Sequence, residues 1–442
     1  MLSPPYSFPI FGRCASIHSR LTIPKMANCP LRAAALASPH FPALQTADGT
    51  LSFSELDRLV DKTAATLSLR EGERLAVLLP TGIQFLAHLF AAIRLGAAFC
   101  PLSPRLPPRE LTAALQRLAP TAFVSSDGVK ILPSTAKSPP SSFLLFTSGS
   151  SGMPKIAILT LEHLLASARA AVHFLSLQSN DRWLLSLPLH HVGGLGILFR
   201  CLLARAVITL QPSDPFITHL SYVPTQLYRA WPIYPQLRAI LLGGAPICNI
   251  PQELPIISTY GMTETSSLVL ARKNSAHFLG FPLRGRELKL AEDGELLVRG
   301  NTVFQGYLNE PSPFDADGWF PTKDLAVFDP QEGFAIAGRK DNQFISGGEN
   351  IQPEEIERAL LQHPAVLEVI IAPKADPEFG FRPVAYVRSV DETFDLNTMQ
   401  RFLLDRLPKY KIPIALFSLP ETALKPSRKG IFEMVNNKNL IG

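Results

Sequence analysis

The chain has 442 residues, of which 46% are hydrophobic and 18% are charged, and its formal net charge is +5. This length exceeds the roughly 250–300 residues that one hydrophobic core usually supports, so we expect two or more domains. The charge is small and is not concentrated in one block, which argues against a nucleic-acid partner. The most apolar stretches, 85–102 and 192–210, are interrupted by arginines and do not predict a membrane span.

The N-terminal segment and the cysteines say little about function. Residues 1–47 contain no Asp or Glu, which resembles an organelle transit peptide, although a start at Met26 explains the composition equally well. We interpret residues 1–25 as an uninformative extension. The five cysteines form no C-x-x-C pair and have no zinc-type spacing with histidine, so we expect buried, reduced thiols and a cytoplasmic location.

Short apolar runs alternate with helical patterns from about residue 50 to 330. Strands are expected at 74–79, 122–124 and 142–146, and helices at 84–95 and 161–174. This alternation predicts an α/β fold in which mixed, mostly parallel sheets are flanked by helices. Residues 296–299, with nearby glycine turns, indicate a small antiparallel β element that closes the large domain.

Glycines and hydroxyl side chains are concentrated in the loop TSGSSGMPK, residues 147–155, directly after a predicted strand. Glycine lets backbone N–H groups approach a ligand, while hydroxyl and ammonium groups donate to electron-rich atoms. The loop therefore predicts a phosphate site, with a flexible surface turn as the alternative. It is not a P-loop, because Pro154 and Ile156 flank Lys155 where that motif has Gly and Ser or Thr.

The pattern restarts near residue 338. Pro353, followed by two acids, predicts a helix at 354–363, because acidic side chains stabilise a helix N-terminus. Further strands are expected at 366–372 and 383–388, and a further helix at 396–407. These elements predict a large domain, 26–338, and a small α+β domain, 339–442.

Four motifs together resemble the adenylate-forming superfamily of acyl-CoA synthetases, luciferases and peptide-synthetase adenylation domains. They are the loop at 147–155, YGMTE at 260–264, GWFPTKD at 318–324, and GRKD at 338–341 followed by SGGENIQPEEI at 346–356. The resemblance implies a large ATP- and acyl-binding domain, a small mobile domain, and ligation of an acid to coenzyme A through an acyl-AMP. Segments 187–200, 223–227 and 346–355 are most similar to the 2-succinylbenzoate:CoA ligases of menaquinone biosynthesis.

The resemblance also implies roles in binding ATP and Mg²⁺. Glu264 corresponds to the Mg²⁺ ligand, and Thr263 would donate to the α-phosphate. The loop that holds pyrophosphate corresponds to Thr147, Ser148, Gly149, Ser150, Ser151, Gly152 and Lys155. The adenosine site corresponds to Gly243, Gly244, Ala245, Tyr260, Asp324 and Arg339, with Asp324 accepting from both ribose hydroxyls. Lys323 stands where the family usually has Gly, so the sequence does not predict the conformation of the turn at this position.

A second group of residues is expected to bind the acid. Arg200 lies in an otherwise apolar run, and a buried arginine needs an anionic partner. The resemblance implies that Arg200 meets a second carboxylate of the substrate, with a salt bridge to a protein acid as the alternative. It also places His191 near the reacting carboxyl group and Ser266 and Ser267 along the acyl pocket.

The small domain is expected to serve both half-reactions. Lys429 corresponds to the lysine of acyl-AMP formation, with Lys425 as the runner-up and an ordinary surface lysine as the alternative for either. Asp341 corresponds to the hinge residue. Gly347 and Gly348 would line the path of the pantetheine chain of coenzyme A, although an ordinary turn fits them too.

Two other functions compete with a 2-succinylbenzoate:CoA ligase. One is another aryl- or acyl-CoA ligase of the same superfamily. The other is a nucleotide-binding regulatory protein that has lost turnover, which the irregular sequence at 425–430 suggests. The expected partners are a small carboxylic acid, ATP and coenzyme A, and the oligomeric state is left open.

Overall fold

The computed structural model describes residues 29–147, 154–229, 233–244, 251–391 and 393–419. Its architecture confirms the predicted α/β fold. The helices are α1 (Pro30–Ala37), α2 (Phe53–Thr66), α3 (Ile83–Leu95), α4 (Pro108–Leu118), α5 (Leu161–Leu175), α6 (Val192–Ala204), α7 (Pro224–Arg229), α8 (Pro353–Leu360) and α9 (Leu396–Leu404).

The first fourteen strands form two mixed sheets. They are β1 (Pro42–Thr46), β2 (Gly49–Ser52), β3 (Arg74–Val77), β4 (Ala98–Pro101), β5 (Ala122–Ser125), β6 (Gly128–Ile131), β7 (Ser142–Thr147), β8 (Lys155–Thr160), β9 (Arg182–Leu184), β10 (Val207–Thr209), β11 (His219–Tyr222), β12 (Ala239–Leu242), β13 (Ile256–Met262) and β14 (Ser267–Lys273). One sheet has the order β6-β5-β3-β4-β7-β8 and the other β14-β13-β12-β11-β9-β10-β1-β2. In both sheets the central strands are parallel and the edge strands are antiparallel.

The remaining strands form two smaller sheets. They are β15 (Arg286–Leu290), β16 (Glu295–Gly300), β17 (Phe320–Asp329), β18 (Gly333–Arg339), β19 (Phe344–Ser346), β20 (Glu349–Ile351), β21 (Val366–Asp376), β22 (Gly380–Ser389) and β23 (Leu416–Ser418). Strands β15 to β18 form an antiparallel sheet, which is the small β element expected around 296–299. Strands β19 to β23 form the sheet of the C-terminal part.

The two mixed sheets and the helices α1, α2, α3, α5 and α6 share one hydrophobic core. Part of it is a chain of edge-to-face aromatic contacts, in which the ring of Phe99 lies 5.5 Å from that of Phe85 and 6.0 Å from that of Phe143. The ring of Phe143 in turn lies 5.8 Å from that of Phe199 on α6. Such contacts are favourable beyond the area they bury, so they anchor α6, which carries Arg200, against the six-stranded sheet.

A separate hydrophobic cluster, residues 344–412, lies beyond β18. The division of the chain at 338/339 stays a prediction. Helix α8 begins at Pro353 as predicted but ends at Leu360 rather than 363, because Pro364 disfavours helical backbone in the residue before it. Helix α9 likewise ends at Leu404, before Pro408. In the part of the chain that the structure describes, no helix has the length and hydrophobicity to cross a membrane.

Candidate active site

Two adjoining cavities lie where β11, β12 and β13 end, the position at which parallel sheets bind ligands. The first cavity has a volume of about 320 Å³ and the second about 360 Å³. They share the lining residues Gly244, Thr259, Gly261 and Met262. The structure therefore brings Tyr260, Asp324 and Arg339 of the predicted adenosine site, which line the first cavity, next to three residues of the predicted acid site. These are His191, Arg200 and Ser267, which line the second cavity.

Gly243 and Gly244 follow β12 and leave room at this junction. A Cβ atom on Gly243 would lie 2.3 Å from Oγ1 of Thr259, a distance that real side chains do not tolerate. Gly244 has φ +80°, a left-handed conformation that favours glycine. The two glycines thus keep the cavity wall thin where the sequence predicts a nucleotide base. The third member of that prediction, Ala245, lies outside the described residues.

Tyr260, Asp324 and Arg339 form one hydrogen-bonded cluster on the first cavity. The Tyr260 hydroxyl donates to Oδ2 of Asp324 over 2.6 Å, and Nη1 of Arg339 donates to Oδ1 over 3.1 Å. Strands β17 and β18 place Asp324 opposite Arg339. Burial raises the pKa of Asp324, while Tyr260 and Arg339 act in the opposite direction. The carboxylate is therefore held in place by two donors beside the cavity.

Lys323 precedes Asp324 within β17, at the position where the family's motif usually has glycine. Lys323 has φ +62°, in the left-handed region that costs a side-chain-bearing residue free energy. Its N–H donates to Oε1 of Glu295 over 2.8 Å, which holds the turn. A lysine thus adopts here the left-handed backbone conformation that favours glycine.

Glu264 lies in a short 3₁₀ turn, Thr263–Thr265, directly after β13. It is 9% exposed, and burial raises the pKa of its carboxyl group. The Tyr307 hydroxyl donates to its Oε1 over 2.8 Å. Sequence reasoning missed Tyr307, because the contact joins residues 43 positions apart and no local spacing signals it. Thr263 lines the second cavity.

The base of the hydroxyl-rich loop lies beside this carboxylate. Thr147 and Lys155 pair at the ends of β7 and β8. The Lys155 ammonium group lies 4.7 Å from the ring centroid of Tyr307 and 3.9 Å from Oε2 of Glu310. Tyr307 thus contacts both the loop and Glu264. The predicted phosphate-binding residues of the loop tip, Ser148, Gly149, Ser150, Ser151 and Gly152, lie outside the described residues.

Arg200 lines the second cavity from α6 and is only 2% exposed. Its Nη2 donates to Oγ of Ser267 over 3.1 Å, and its guanidinium carbon lies 5.5 Å from the Trp183 ring centroid. A Cβ atom on Gly196 would lie 2.9 Å from Nη2, so glycine there makes space for the guanidinium group. Burial lowers the pKa of Arg200 to about 10. Within the described ranges no protein carboxylate pairs with it, contrary to the salt-bridge alternative.

The structure separates the other predicted acid-binding residues. His191, the N-cap of α6, and Ser267 line the second cavity with Arg200. Ser266 is not among the lining residues, and its hydroxyl donates to the Thr302 carbonyl over 2.7 Å. The geometry therefore gives Ser266 no part in that cavity. The rings of His190 and His191 lie 4.4 Å apart, and burial lowers the pKa of His190 to about 4.

The C-terminal part supplies further residues to the first cavity. Glu354 and Arg358 of α8 line it, and Nη1 of Arg358 donates to the Ile336 carbonyl over 3.1 Å. Sequence reasoning missed both, although residues four apart lie on the same face of a helix and Glu354 lies within the motif at 346–356.

The predicted hinge residue, Asp341, pairs with Arg339 of the predicted ribose site. Nε of Arg339 donates to Oδ1 of Asp341 over 3.1 Å. Gly347 and Gly348 adopt φ +58° and +87° in the turn between β19 and β20. Lys429 and Lys425 lie outside the described residues.

Known proteins are similar to this chain in sequence and in architecture. The AMP-binding enzyme family matches residues 31–142 and 131–308, and the AMP-binding enzyme C-terminal domain matches residues 355–429. The chain belongs to the AMP-binding enzyme family. The adenylate-forming resemblance predicted from the motifs is thereby confirmed.

Among curated members of this AMP-binding family, the chain is similar to the 2-succinylbenzoate–CoA ligases of Salmonella typhimurium and Escherichia coli. It is 35% identical to the first and 34% identical to the second, and each alignment covers 90% of this chain and 96% of the relative. The two alignments thus cover nearly the full length of these ligases.

Solved structures of AMP-binding enzymes agree with the fold. The Bacillus subtilis o-succinylbenzoate CoA synthetase in complex with the acyl-adenylate intermediate OSB-AMP is 26% identical, with a TM-score of 0.80, over 94% of this chain and 98% of that one. The same enzyme in complex with ATP and magnesium ion is 27% identical, with a TM-score of 0.80, over 92% of this chain and 99% of that one. Wild-type E. coli MenE with a bound OSB-AMS analogue is 33% identical, with a TM-score of 0.76, over 92% and 99%.

Proposed function

We propose that this protein is an ATP-dependent ligase that adenylates 2-succinylbenzoate and transfers the acyl group to coenzyme A, in the cytoplasm and for menaquinone biosynthesis. The choice of substrate rests on Arg200, a buried cation that lines the second cavity. Among the described residues no carboxylate pairs with it. An acid with two carboxylates can place one at Arg200 and the other at the junction with the first cavity, where the nucleotide would lie. A guanidinium group binds a carboxylate strongly because two parallel hydrogen bonds can form.

In the first half-reaction a carboxylate oxygen attacks the α-phosphorus of ATP, and pyrophosphate leaves. Both reactants are anions, so the site must supply positive charge and hydrogen-bond donors. Lys155 and the hydroxyl-rich loop that precedes it in the sequence would bind the departing phosphates, and Thr263 would donate to the α-phosphate. His191, on the second cavity, would lie beside the reacting carboxylate.

Glu264 is suited to bind a Mg²⁺ ion that the phosphates of the nucleotide would also bind. The described residues contain no cluster of three or more His, Cys, Asp or Glu side chains that could hold a metal ion. Mg²⁺ is usually bound by one or two carboxylates together with substrate phosphates, so one buried carboxylate is a sufficient protein contribution. The ion would offset phosphate charge, and Tyr307 would keep Glu264 oriented toward it.

The remaining residues orient the nucleotide and serve the second half-reaction. Asp324, held by Tyr260 and Arg339, would accept hydrogen bonds from the ribose hydroxyls. The CoA thiol sulfur then attacks the acyl carbon and AMP leaves. Rotation of the small domain about Asp341 would bring the turn at Gly347 and Gly348 to the thiol, after Lys429 has served the first half-reaction.

The alternatives differ in the acid or in turnover. A ligase for a monocarboxylic acid would leave Arg200 without an anionic partner, and burial of an unpaired charge is costly. A regulatory protein without turnover would bind ATP and release no pyrophosphate. Lys429→Ala and Lys425→Ala separate the candidate lysines, because the lysine that contacts both reactants is required for acyl-AMP formation.

The test is pyrophosphate release with 2-succinylbenzoate, benzoate and octanoate, each with ATP and Mg²⁺. We expect kcat/KM to be highest for 2-succinylbenzoate by about 10⁴-fold or more, the discrimination that a site built for a polar group achieves. CoA ester formation, followed by mass spectrometry, should depend on the same acid. Equal turnover of the three acids would reject the substrate assignment, and ATP binding without pyrophosphate release would favour the regulatory protein.

A further inference from the structure

Arg200, the residue on which the choice of substrate rests, is held by few polar contacts. Within the described part of the chain its side chain makes one hydrogen bond, from Nη2 to Oγ of Ser267, and its Nε has no hydrogen-bond partner. The residue is only 2% exposed, so bulk water does not hold the guanidinium group either. Because an arginine side chain has many rotamers, another contact must fix its position.

The indole ring of Trp183 supplies that contact. The guanidinium carbon of Arg200 lies over the ring, 5.5 Å from the ring centroid. A cation within about 6 Å of the centroid is attracted by the negative face of an aromatic ring, and tryptophan attracts it most strongly. The attraction is largest when both groups are removed from water, and Trp183 is fully buried.

Trp183 is itself rigidly placed. It lies in β9, which has the parallel strands β10 and β11 on its two sides in the eight-stranded sheet. The pairing of these strands sets Trp183 opposite Ile208 and His219. The ring of His219 also packs against the indole, with the ring centroids 5.1 Å apart. The indole therefore offers Arg200 a surface that does not move with the cavity contents.

Hydrogen bonding does not explain why this position holds a tryptophan. The Nε1 atom of Trp183 is buried and has no hydrogen-bond partner among the described residues. A buried indole N–H usually has a partner, and leaving it without one costs free energy that a phenylalanine ring would avoid. The contact with Arg200 does explain the residue, because the indole ring attracts a cation more strongly than a phenyl ring does.

An aromatic partner also suits a residue that has to bind an anion. A protein carboxylate at Arg200 would occupy its N–H donors and compete with the substrate, whereas a ring face attracts the charge and leaves the donors available. Trp183 is not among the residues that line the second cavity, and Arg200 is. The substrate would therefore meet the guanidinium group and not the indole ring.

We propose that Trp183 is a positioning residue that holds the guanidinium group of Arg200 by a cation–π contact and so sets the affinity for the distal carboxylate of the substrate. The inference rests on the proposed function, because it concerns the group that binds the second carboxylate.

The experiment changes the charge distribution of the ring and nearly keeps its shape. Trp183 is replaced by mono-, di- and trifluorinated tryptophan, because each fluorine withdraws electron density from the ring face that attracts the cation. Trp319 is the matched control. The guanidinium carbon of Arg299 and the Nζ atom of Lys289 lie 4.5 Å and 4.4 Å from its ring centroid, and none of these three residues lines either cavity.

The ligands are 2-succinylbenzoate and two monoacids that each keep only one of its carboxylates, 4-oxo-4-phenylbutanoate and 2-butanoylbenzoate. Their dissociation constants are measured by calorimetry in the presence of Mg²⁺ and a non-hydrolysable ATP analogue. Thermal unfolding of each fluorinated protein reports its folding separately.

We expect trifluorination of Trp183 to weaken binding of the diacid about tenfold, with the mono- and difluorinated proteins in between, because the attraction falls with each fluorine. The monoacid that keeps the carboxylate facing Arg200 should lose affinity by a similar factor. Binding of the other monoacid should change less than twofold, as should the KM for ATP. Fluorination of Trp319 should leave every value unchanged.

An equal loss of affinity for the diacid and both monoacids would assign Trp183 a structural role and overturn the inference, as would unchanged or tighter binding of the diacid. Failure of the proposed function has a different signature. If the wild type binds the diacid but releases no pyrophosphate with it, the ligase assignment fails while the fluorinated series still decides the role of Trp183. If the wild type does not bind the diacid at all, both proposals fail.

Discussion

The hydroxyl of Tyr307 donates a 2.8 Å hydrogen bond to Oε1 of Glu264, and the Lys155 ammonium group lies 4.7 Å from the same tyrosine ring. One side chain thus connects the proposed Mg²⁺ ligand to the base of the proposed phosphate loop. Partners that orient a metal ligand commonly contribute 10–100-fold to metal affinity. This relationship leads to the first prediction.

Tyr307→Phe should raise the Mg²⁺ concentration for half-maximal pyrophosphate release by about tenfold, because Glu264 loses the donor that orients it. Excess Mg²⁺ should restore most of kcat. The matched control is Tyr234→Phe, which removes a hydroxyl that donates to the Pro212 carbonyl on the surface. An unchanged Mg²⁺ dependence in Tyr307→Phe would show that Tyr307 does not orient the ligand.

Asp324→Asn should raise the KM for ATP by about 10–100-fold, since charge-assisted hydrogen bonds to the ribose hydroxyls are lost. Wild-type enzyme with 2′,3′-dideoxy-ATP should show a similar loss. In Asp324→Asn the analogue and ATP should be nearly equivalent, because the interaction is already gone. If the two losses add in full, Asp324 does not contact the ribose.

Lys323→Gly should raise the free energy of unfolding by about 0.5–1 kcal/mol, because glycine adopts φ +62° without the steric cost that a Cβ atom carries. The measurement is the midpoint of denaturation by urea. Lys323→Ala keeps the Cβ atom and should show no such gain. Equal effects of the two variants would mean that the backbone conformation is not the cause.

Stability should depend on pH through His219, which is 1% exposed and packs against Trp183 in a tilted arrangement with the ring centroids 5.1 Å apart. Burial lowers the pKa of His219 to about 4, against an ordinary value of 6.5. The folded state therefore keeps this imidazole neutral where the unfolded chain protonates it. Stability due to this group is fully present above pH 6.5 and is lost as the pH falls toward 4.

Between pH 7.5 and pH 5 the contribution of His219 should fall by roughly 2 kcal/mol, at 1.36 kcal/mol for each pH unit below the unfolded pKa. Urea denaturation at the two pH values measures the decrease. His219→Gln has no group that titrates in this range, so its decrease should be smaller than that of the wild type by about that amount. The same decrease in both proteins would exclude His219 as the cause.

Local patterns were sufficient for the order and type of the main elements. The apolar run at 142–146 and the Ala- and Leu-rich segment at 161–174 correspond to β7 and α5, because each signal is carried by adjacent residues. The end of α8 was misjudged because the pattern alone did not weigh Pro364. The motif residues Tyr260, Asp324 and Arg339 could be grouped only by resemblance, since 79 positions separate the first from the last.

The sequence by itself determined the fold class and the residues that match the family's motifs, because periodicity and short motifs involve residues that are neighbours along the chain. Only the tertiary structure decided that Tyr307 contacts Glu264 and that Ser267 rather than Ser266 faces the second cavity. These contacts depend on how sheets and helices from distant parts of the chain pack. Burial and the partners of a charged group are properties of that packing, and no local spacing encodes them.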